Sequence, residues 1–169
     1  MISKRSSIIS PSKTIEISQK VNELKKQGIK IIDLSIGEPD FPIPMAAKSH
    51  VEFALNNNKT KYDNVRGLDE LRSQISMKLS AENNLNYNKN EIIVSTGAKQ
   101  PIFNSMLAIC DVGDEILIPS PYWVSYIEIA KIAGVTPIIV PTKEENDFKV
   151  TKEDLKPFIT NKSKAILYS

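Results

Sequence analysis

The chain is poor in the residue types that build metal centres and covalent cross-links. Its 169 residues include one cysteine and one histidine. An internal disulfide is therefore excluded, and Cys110 with His50 cannot make a zinc site between them. Cys110 falls on the apolar face of a predicted helix, where we expect a small buried hydrophobic residue and not a reactive thiol.

The chain also lacks a strong charge of either sign and a long apolar run. Lys and Arg number 22 against 20 Asp and Glu, for a net charge of +2. Such a balance gives no electrostatic field that favours nucleic acid. No apolar run reaches the roughly 18 residues of a membrane span, and residues 1–10 lack the apolar centre of a secretion signal. We therefore expect a cytoplasmic protein that binds neither nucleic acid nor membrane.

What the chain does contain is a strand, turn and helix pattern over residues 91–110, E-I-I-V-S-T-G-A-K-Q-P-I-F-N-S-M-L-A-I-C. The β-branched run at residues 92–94 suits a buried parallel strand. The helix is predicted to open at Gly97, Ala98 and Lys99, where backbone N–H groups and the helix dipole make a site for a phosphate. The glycine spacing fits neither the dinucleotide fingerprint nor a P-loop. A turn of this kind can also bind nothing, and that alternative stays open.

Strands and helices alternate along the rest of the chain. Further helices are predicted from residue 14 to Gly28, over residues 45–56 and 68–82, and from Trp123 to Gly134, with a helical turn at 152–157 and strands at 29–34, 115–118, 137–140 and 164–168. This alternation predicts an α/β fold with a mostly parallel sheet.

Three loop residues are candidates for ligand contact. Gly37, in the proline-rich loop of residues 35–44, lets a backbone approach a ligand closely, although the loop can also be purely structural. Tyr62 stands in a polar loop between two helices, as a ligand contact or a packing lid. Trp123 follows a strand at the sheet edge where α/β proteins bind ligands, so it can stack on a planar ring or simply pack.

Four ordered motifs resemble one known family, the class I pyridoxal-phosphate-dependent aminotransferases of the aspartate aminotransferase type. They are I-D-L-S-I-G-E-P-D-F, K-T-K-Y-D-N-V-R-G-L-D-E-L-R, S-T-G-A-K-Q-P-I-F-N and P-S-P-Y-W-V-S-Y. The resemblance implies the fold type I transferase large domain, with its sheet incomplete in this chain. It also implies an N-terminal arm, helix and substrate-side loop at residues 1–44, and the first part of the cofactor-binding domain at residues 45–169.

The resemblance implies a role for each candidate residue. Gly97, Ala98 and Lys99 would hold the phosphate of pyridoxal 5′-phosphate, and Trp123 would stack on its pyridine ring. Tyr62 would reach the cofactor phosphate of a neighbouring subunit, which implies a homodimer. Gly37 and Trp123 would line the substrate pocket. Lys99 would also meet the distal carboxylate of an acidic substrate, which favours aspartate or glutamate.

The function implied is transfer of an amino group from an amino acid to a 2-oxo acid. In the family, the Schiff-base lysine, the aspartate under the ring nitrogen and the carboxylate-binding arginine follow the position of Ser169. We therefore expect an N-terminal fragment that contains no catalytic residue and is inactive alone. Two alternatives stay open: an inactive remnant that binds a phosphate ligand or a partner chain, and a same-fold enzyme acting on aromatic or prephenate-type substrates.

Overall fold

The computed structural model describes residues 2–169, which divide into two compact units. Among the described residues, the first unit is 2–36 with Gly97–Ser169, and the second is Gly37–Thr96. The described chain contains the helices α1 Lys4–Ser7, α2 Lys13–Lys26, α3 Met45–Asn56, α4 Asp69–Asn83, α5 Lys99–Ile109, α6 Ser125–Ala133 and α7 Lys152–Leu155, with strands β1 Glu115–Pro119, β2 Thr136–Val140 and β3 Ser163–Ile166. Three short 3₁₀ turns lie at Lys89–Glu91, Glu144–Asn146 and Lys156–Phe158.

The sheet belongs to the first unit and is parallel throughout, in the order β2-β1-β3. Glu115 pairs with Thr136 at one end of the β1 and β2 ladder, and Pro119 pairs with Val140 at the other. The β1 and β3 ladder shifts register next to Glu115. As the central strand, β1 is buried from its second residue onward, which explains why its sequence is continuously apolar and does not alternate.

The apolar core lies between this sheet and two helices. It joins Met106 of α5, Ile116 and Ile118 of β1, and Ile129 and Ala130 of α6, and α5 and α6 contact each other. Ile118 is completely buried, and burial of such a side chain is worth about 1.5–3 kcal/mol. This core packs β1 against α5 and α6.

The second unit is built differently. It contains α3, α4 and the 3₁₀ turn Lys89–Glu91, and α4 opens with Asp69 and Glu70, acidic residues that suit the positive end of a helix dipole. Within residues 37–96, Arg72 is the one fully buried residue. The second unit is therefore not stabilised by a cluster of buried apolar residues.

The structure confirms the α/β fold class, the predicted helices over residues 14–27, 45–56 and 68–82, and the last three predicted strands, with ends shifted by a few residues. The predicted strands at residues 29–34 and 92–94 are wrong, because neither segment forms a ladder. Val94, for example, donates its N–H to the carbonyl of Arg66 in a loop, at 2.9 Å. A β-branched run becomes a strand only beside another strand, and a single sequence segment does not show its neighbour.

The predicted start of α6 at Trp123 is also wrong, because the helix begins at Ser125. Trp123 instead forms a turn just before the helix, and its carbonyl accepts the N–H of Tyr126 at 2.9 Å. The predicted division of the chain at residues 44 and 45 stays a prediction.

Candidate functional site

The N-terminus of α5 has the features expected of an anion site. Ala98 is the residue that precedes the helix, its side chain makes no capping hydrogen bond, and the first turn contains no acidic residue. Gly97 has a left-handed φ of +64°, a conformation that costs glycine little. A Cβ added at Gly97 would meet no atom within 4 Å, so the space beside this turn is open. A helix start of this kind attracts negative groups through its backbone N–H groups and its dipole.

Lys99 and Trp123, 24 positions apart in sequence, contact each other in the first unit. The Lys99 ammonium lies 4.8 Å from the centroid of the Trp123 ring, within the range of a cation–π interaction. Tyr126 meets the same indole edge-on, with centroids 5.6 Å apart and planes at 89°. Trp123 is 38% exposed, so an aromatic side chain with a positive charge beside it is accessible to solvent.

The loop that carries Trp123 is tied to the sheet at the carboxyl end of β1. The Ser120 N–H donates to the carbonyl of Val140 at 2.9 Å. Its own carbonyl accepts a hydrogen bond from the hydroxyl of Thr142. Ser120 and Pro121 are joined by a cis peptide bond. The indole is thus presented from the strand end where α/β folds place ligands.

A cavity of about 520 Å³ lies beside Lys99 in the first unit. The N-terminal arm forms one wall and α6 the other, and the lining residues are Ile9, Ser10, Pro11, Ser12, Lys13, Lys99, Val124, Ser125, Glu128, Ile129 and Ile132. Sequence reasoning gave the arm no part in the site. Its small polar residues around Pro11 show no periodicity, so no signal in that stretch would have placed it here.

Glu128 fastens the arm to α6. Its carboxylate accepts the N–H of Ser10 at 3.0 Å and the ammonium of Lys131 at 2.9 Å. These bonds, chiefly the one from Lys131, hold the pKa of Glu128 below its ordinary value. The carboxylate therefore stays ionised at neutral pH and keeps the arm beside the cavity.

Tyr62 and Gly37 belong to the second unit. The Tyr62 side chain is fully exposed, and a Cβ added at Gly37 would meet nothing within 4 Å. Their predicted roles as cofactor and substrate contacts stay predictions, as do those of Gly97, Ala98, Lys99 and Trp123.

Other chemistry has little support in the described residues. Burial raises the pKa of the Cys110 thiol, and the side chain packs against the apolar core of the first unit. Residues 2–169 contain no group of three His, Cys, Asp or Glu side chains placed to hold a metal ion. None of the helices in the same range has the length and apolar character needed to cross a membrane.

Comparison with known sequences shows the family. The family model described as aminotransferase class I and II matches residues 29–168. The chain is 45% identical to a probable aspartate/prephenate aminotransferase of Rickettsia conorii, over 99% of this chain and 42% of that protein. It is 43% identical to an aspartate aminotransferase of Bacillus subtilis, over 98% of this chain and 42% of that protein. The chain thus spans about two fifths of the length of these curated relatives.

Comparison with solved structures agrees. The aspartate aminotransferase of Thermus thermophilus with maleate superposes with a TM-score of 0.93 at 39% identity, covering 98% of this chain and 44% of that one. Fold, sequence and motif order therefore lead to one assignment: the chain belongs to the class I and II aminotransferases, as a pyridoxal-phosphate-dependent member of the aspartate type.

Proposed function

We propose that this protein, at the length of its curated relatives, is a transaminase that moves an amino group from aspartate or glutamate to a 2-oxo acid. The observation that carries the proposal is the contact of the Lys99 ammonium with Trp123 at 4.8 Å, at the start of α5. A positive group, a helix start and a partly exposed aromatic side chain together suit the phosphate and the flat ring of a phosphorylated aromatic cofactor.

The residues present fit pyridoxal 5′-phosphate. The backbone N–H groups at Gly97, Ala98 and Lys99 would hold its phosphate, because the Ala98 side chain makes no capping hydrogen bond and the space beside Gly97 is open. Trp123 would cover its ring, because the residue is 38% exposed. When bound, this cofactor accepts the electron pair left on the substrate carbon after proton loss.

The residues of this chain would bind and orient the cofactor and the substrate and shield the cofactor from water. Trp123 and Tyr126 contact each other edge-on, and this pair would keep water from one side of the cofactor ring. Lys99 has an ammonium on a flexible stem, suited to the cofactor phosphate or to the distal carboxylate of an acidic substrate. Gly37 would admit the substrate's α-carboxylate close to the backbone. No residue of this chain is proposed to move the proton.

We further propose that the full-length protein is cytoplasmic and forms a homodimer, and Tyr62 is the residue that supports the homodimer. Its phenol is fully exposed in the second unit, and we place it against the cofactor phosphate of a neighbouring subunit. If the full-length protein sediments as a monomer and still binds pyridoxal phosphate, the homodimer proposal is contradicted.

Lys99→Ala tests the substrate assignment. If Lys99 meets the distal carboxylate, kcat/KM for aspartate and glutamate should fall roughly 10- to 100-fold, the value of one charge-assisted hydrogen bond. The value for phenylalanine should hardly change. Equal losses for all substrates would give Lys99 a phosphate role instead. Lys152→Ala, on the exposed surface of α7, is the matched control.

A second candidate is transamination of prephenate, favoured by the name of the Rickettsia conorii relative. Prephenate, aromatic 2-oxo acids and oxaloacetate compared as amino acceptors would separate the substrate classes. The remaining alternative is a protein that binds a phosphate ligand or a partner chain without turnover. Pyridoxal phosphate bound by the full-length protein with no turnover of any of these substrates would favour that alternative.

A further inference from the structure

Arg72 is the one charged side chain that is fully buried among residues 2–169. It lies in the first turn of α4 and is 2% exposed. A buried guanidinium is costly unless its donors are paired, and arginine is among the residues least often found inside a protein. Its burial in a unit with no apolar core therefore calls for a physical reason.

The guanidinium joins three separate points of the second unit. Nε donates to the carbonyl of Gly67 at 3.1 Å, and Nη1 donates to the carbonyl of Lys89 at 2.9 Å. Nη2 donates to the Asp69 carboxylate at 2.7 Å, and the Lys89 ammonium contacts the same carboxylate. The planar fork of arginine makes all three bonds at once, a geometry that lysine cannot reproduce.

Residues 66–67 and 89–94 are also joined by two bonds that do not involve Arg72. The N–H of Val94 donates to the carbonyl of Arg66 at 2.9 Å, and Arg66 Nη1 donates to the carbonyl of Asn90 at 3.0 Å. Gly67 has a φ of +97°, and a Cβ added there would lie 2.8 Å from Cβ of Val94. Residues 66 and 67 therefore pack closely against residues 89–94.

We define the Tyr62 loop as residues 57–68, between α3 and α4. The contact of residues 66 and 67 with residues 89–94 lies at the end of this loop next to α4, and we call that end the foot of the loop. The loop closes in a turn in which the Gly67 N–H donates to the carbonyl of Asn64 at 2.8 Å. The Arg66 N–H donates to the side chain of Asn64 at 2.9 Å. Tyr62 itself is fully exposed, so its direction is set by the backbone that carries it.

We propose that Arg72 is a positioning residue, whose guanidinium fixes the foot of the Tyr62 loop so that the tyrosine is presented in one direction. The proposal rests on the proposed function in one respect, the contact of Tyr62 with a cofactor phosphate. It adds that this contact depends on Arg72, which itself touches neither cofactor nor substrate.

Hydrogen exchange of the full-length protein, without added cofactor, tests the positioning directly. Arg72→Lys keeps the charge and loses the fork, so exchange in residues 62–68 and 89–94 should rise about tenfold, the loss of roughly one charge-assisted hydrogen bond. Exchange in β1 should not change. Lys78→Met, an exposed charge removed from the same helix, is the matched control.

Two exchange results would overturn the proposal. One is wild-type exchange in both segments of Arg72→Lys. The other is an equal rise in β1, which would make Arg72 a residue of the whole fold and not of this loop.

A double-mutant cycle on the affinity for pyridoxal phosphate tests the consequence. Tyr62→Phe and Arg72→Lys should each weaken binding, and the double variant should bind about as weakly as the weaker single variant. Additive losses would show that Arg72 does not act through Tyr62. If the wild-type protein binds no pyridoxal phosphate, the proposed function fails, and with it the binding role of the loop. The exchange result still decides whether Arg72 fixes the loop.

Discussion

Each of the two units is stabilised internally by a different kind of interaction. In the first unit, Ile118, Val140 and Ala130 are completely buried in an apolar core. In the second unit the single buried side chain is Arg72, and large apolar residues such as Phe41 are exposed. Apolar burial is proportional to area and tolerates small movements, whereas hydrogen bonds to a guanidinium require defined positions.

This difference matches the roles proposed for the two units. The first unit presents Lys99 and Trp123 from a helix start and a strand end fixed by the core. The second unit presents Tyr62 from a loop fixed at its foot by directional bonds. A change in the core should therefore destabilise the first unit broadly, whereas a change near Arg72 should act locally.

The largest effect is expected from Ile118→Ala. The side chain is completely buried in the central strand, so its truncation should lower the free energy of unfolding by about 2–5 kcal/mol. Urea unfolding of the full-length protein, followed by circular dichroism, measures the change. Leu71→Ala in α4 is the counterpart in the second unit. It is 43% exposed and should cost less than about 1.5 kcal/mol. Equal losses would remove the distinction between the units.

The next effect is expected from Gly67→Ala. A Cβ there would lie 2.8 Å from Cβ of Val94, at a φ of +97°, so overlap adds to the conformational cost, for a total of roughly 3 kcal/mol. Gly28→Ala is the control in the first unit, because Gly28 also has positive φ but open space around it. It should cost about 1–2 kcal/mol. Hydrogen exchange in residues 62–68 should rise for Gly67→Ala alone, and the same rise in both variants would contradict a local contact.

The elements predicted correctly from the sequence are those whose signal lies within their own segment. Helices α3 and α4 were predicted to within one residue, and for α4 the apolar spacing and the acidic first-turn residues are contained in the segment itself. Strands β1 and β2 were predicted because a continuous apolar run between turn residues is typical of a buried parallel strand. The runs at residues 29–34 and 92–94 carry the same signal and form no ladder, because pairing depends on a second segment.

The roles of the candidate site residues stay predictions, and the strand expected just before Gly97 does not form. Gly97, Lys99 and Trp123 were expected at one edge of the sheet, and the Lys99 contact with Trp123 is consistent with that expectation. The cavity wall formed by residues 9–13 was not predicted, because its placement depends on the bond from Ser10 to Glu128, 118 positions apart. The burial of Arg72 was not predicted either, since arginine in a first helical turn is normally exposed.

A smaller effect is expected from separating Lys99 and Trp123. The ammonium lies 4.8 Å from the indole centroid at a partly exposed position, where a cation–π interaction contributes about 0.5–1 kcal/mol. A double-mutant cycle of Lys99→Ala and Trp123→Leu, read from urea unfolding, should give a coupling energy of that size. The pair Lys152→Ala and Trp123→Leu should give none. A coupling of zero for the first pair would show that the contact does not contribute to stability.

The smallest effect concerns the pH dependence of the first unit. The hydrogen bond from the Lys25 ammonium, assisted by Ser35, lowers the pKa of Asp33 from 3.8 to about 2. Because the folded pKa lies below the unfolded one, ionised Asp33 favours the folded state. That contribution is complete above about pH 4 and is lost as the pH falls through about 2. It should be small, because the carboxylate is exposed to solvent.

Carboxyl ¹³C shifts of labelled aspartate would measure this pKa, and Lys25→Met should return it towards 3.8. Asp69 offers the matching experiment in the second unit, because its pKa is lowered chiefly by the bond from Lys89. Lys89→Met should raise the pKa of Asp69 and leave that of Asp33 unchanged. Because the Lys89 ammonium joins residue 89 to Asp69 beside Arg72, its loss should increase exchange in residues 62–68, whereas Lys25→Met should not. Increased exchange there in Lys25→Met would show that Asp33 and the Tyr62 loop are coupled, against the separation of the two units.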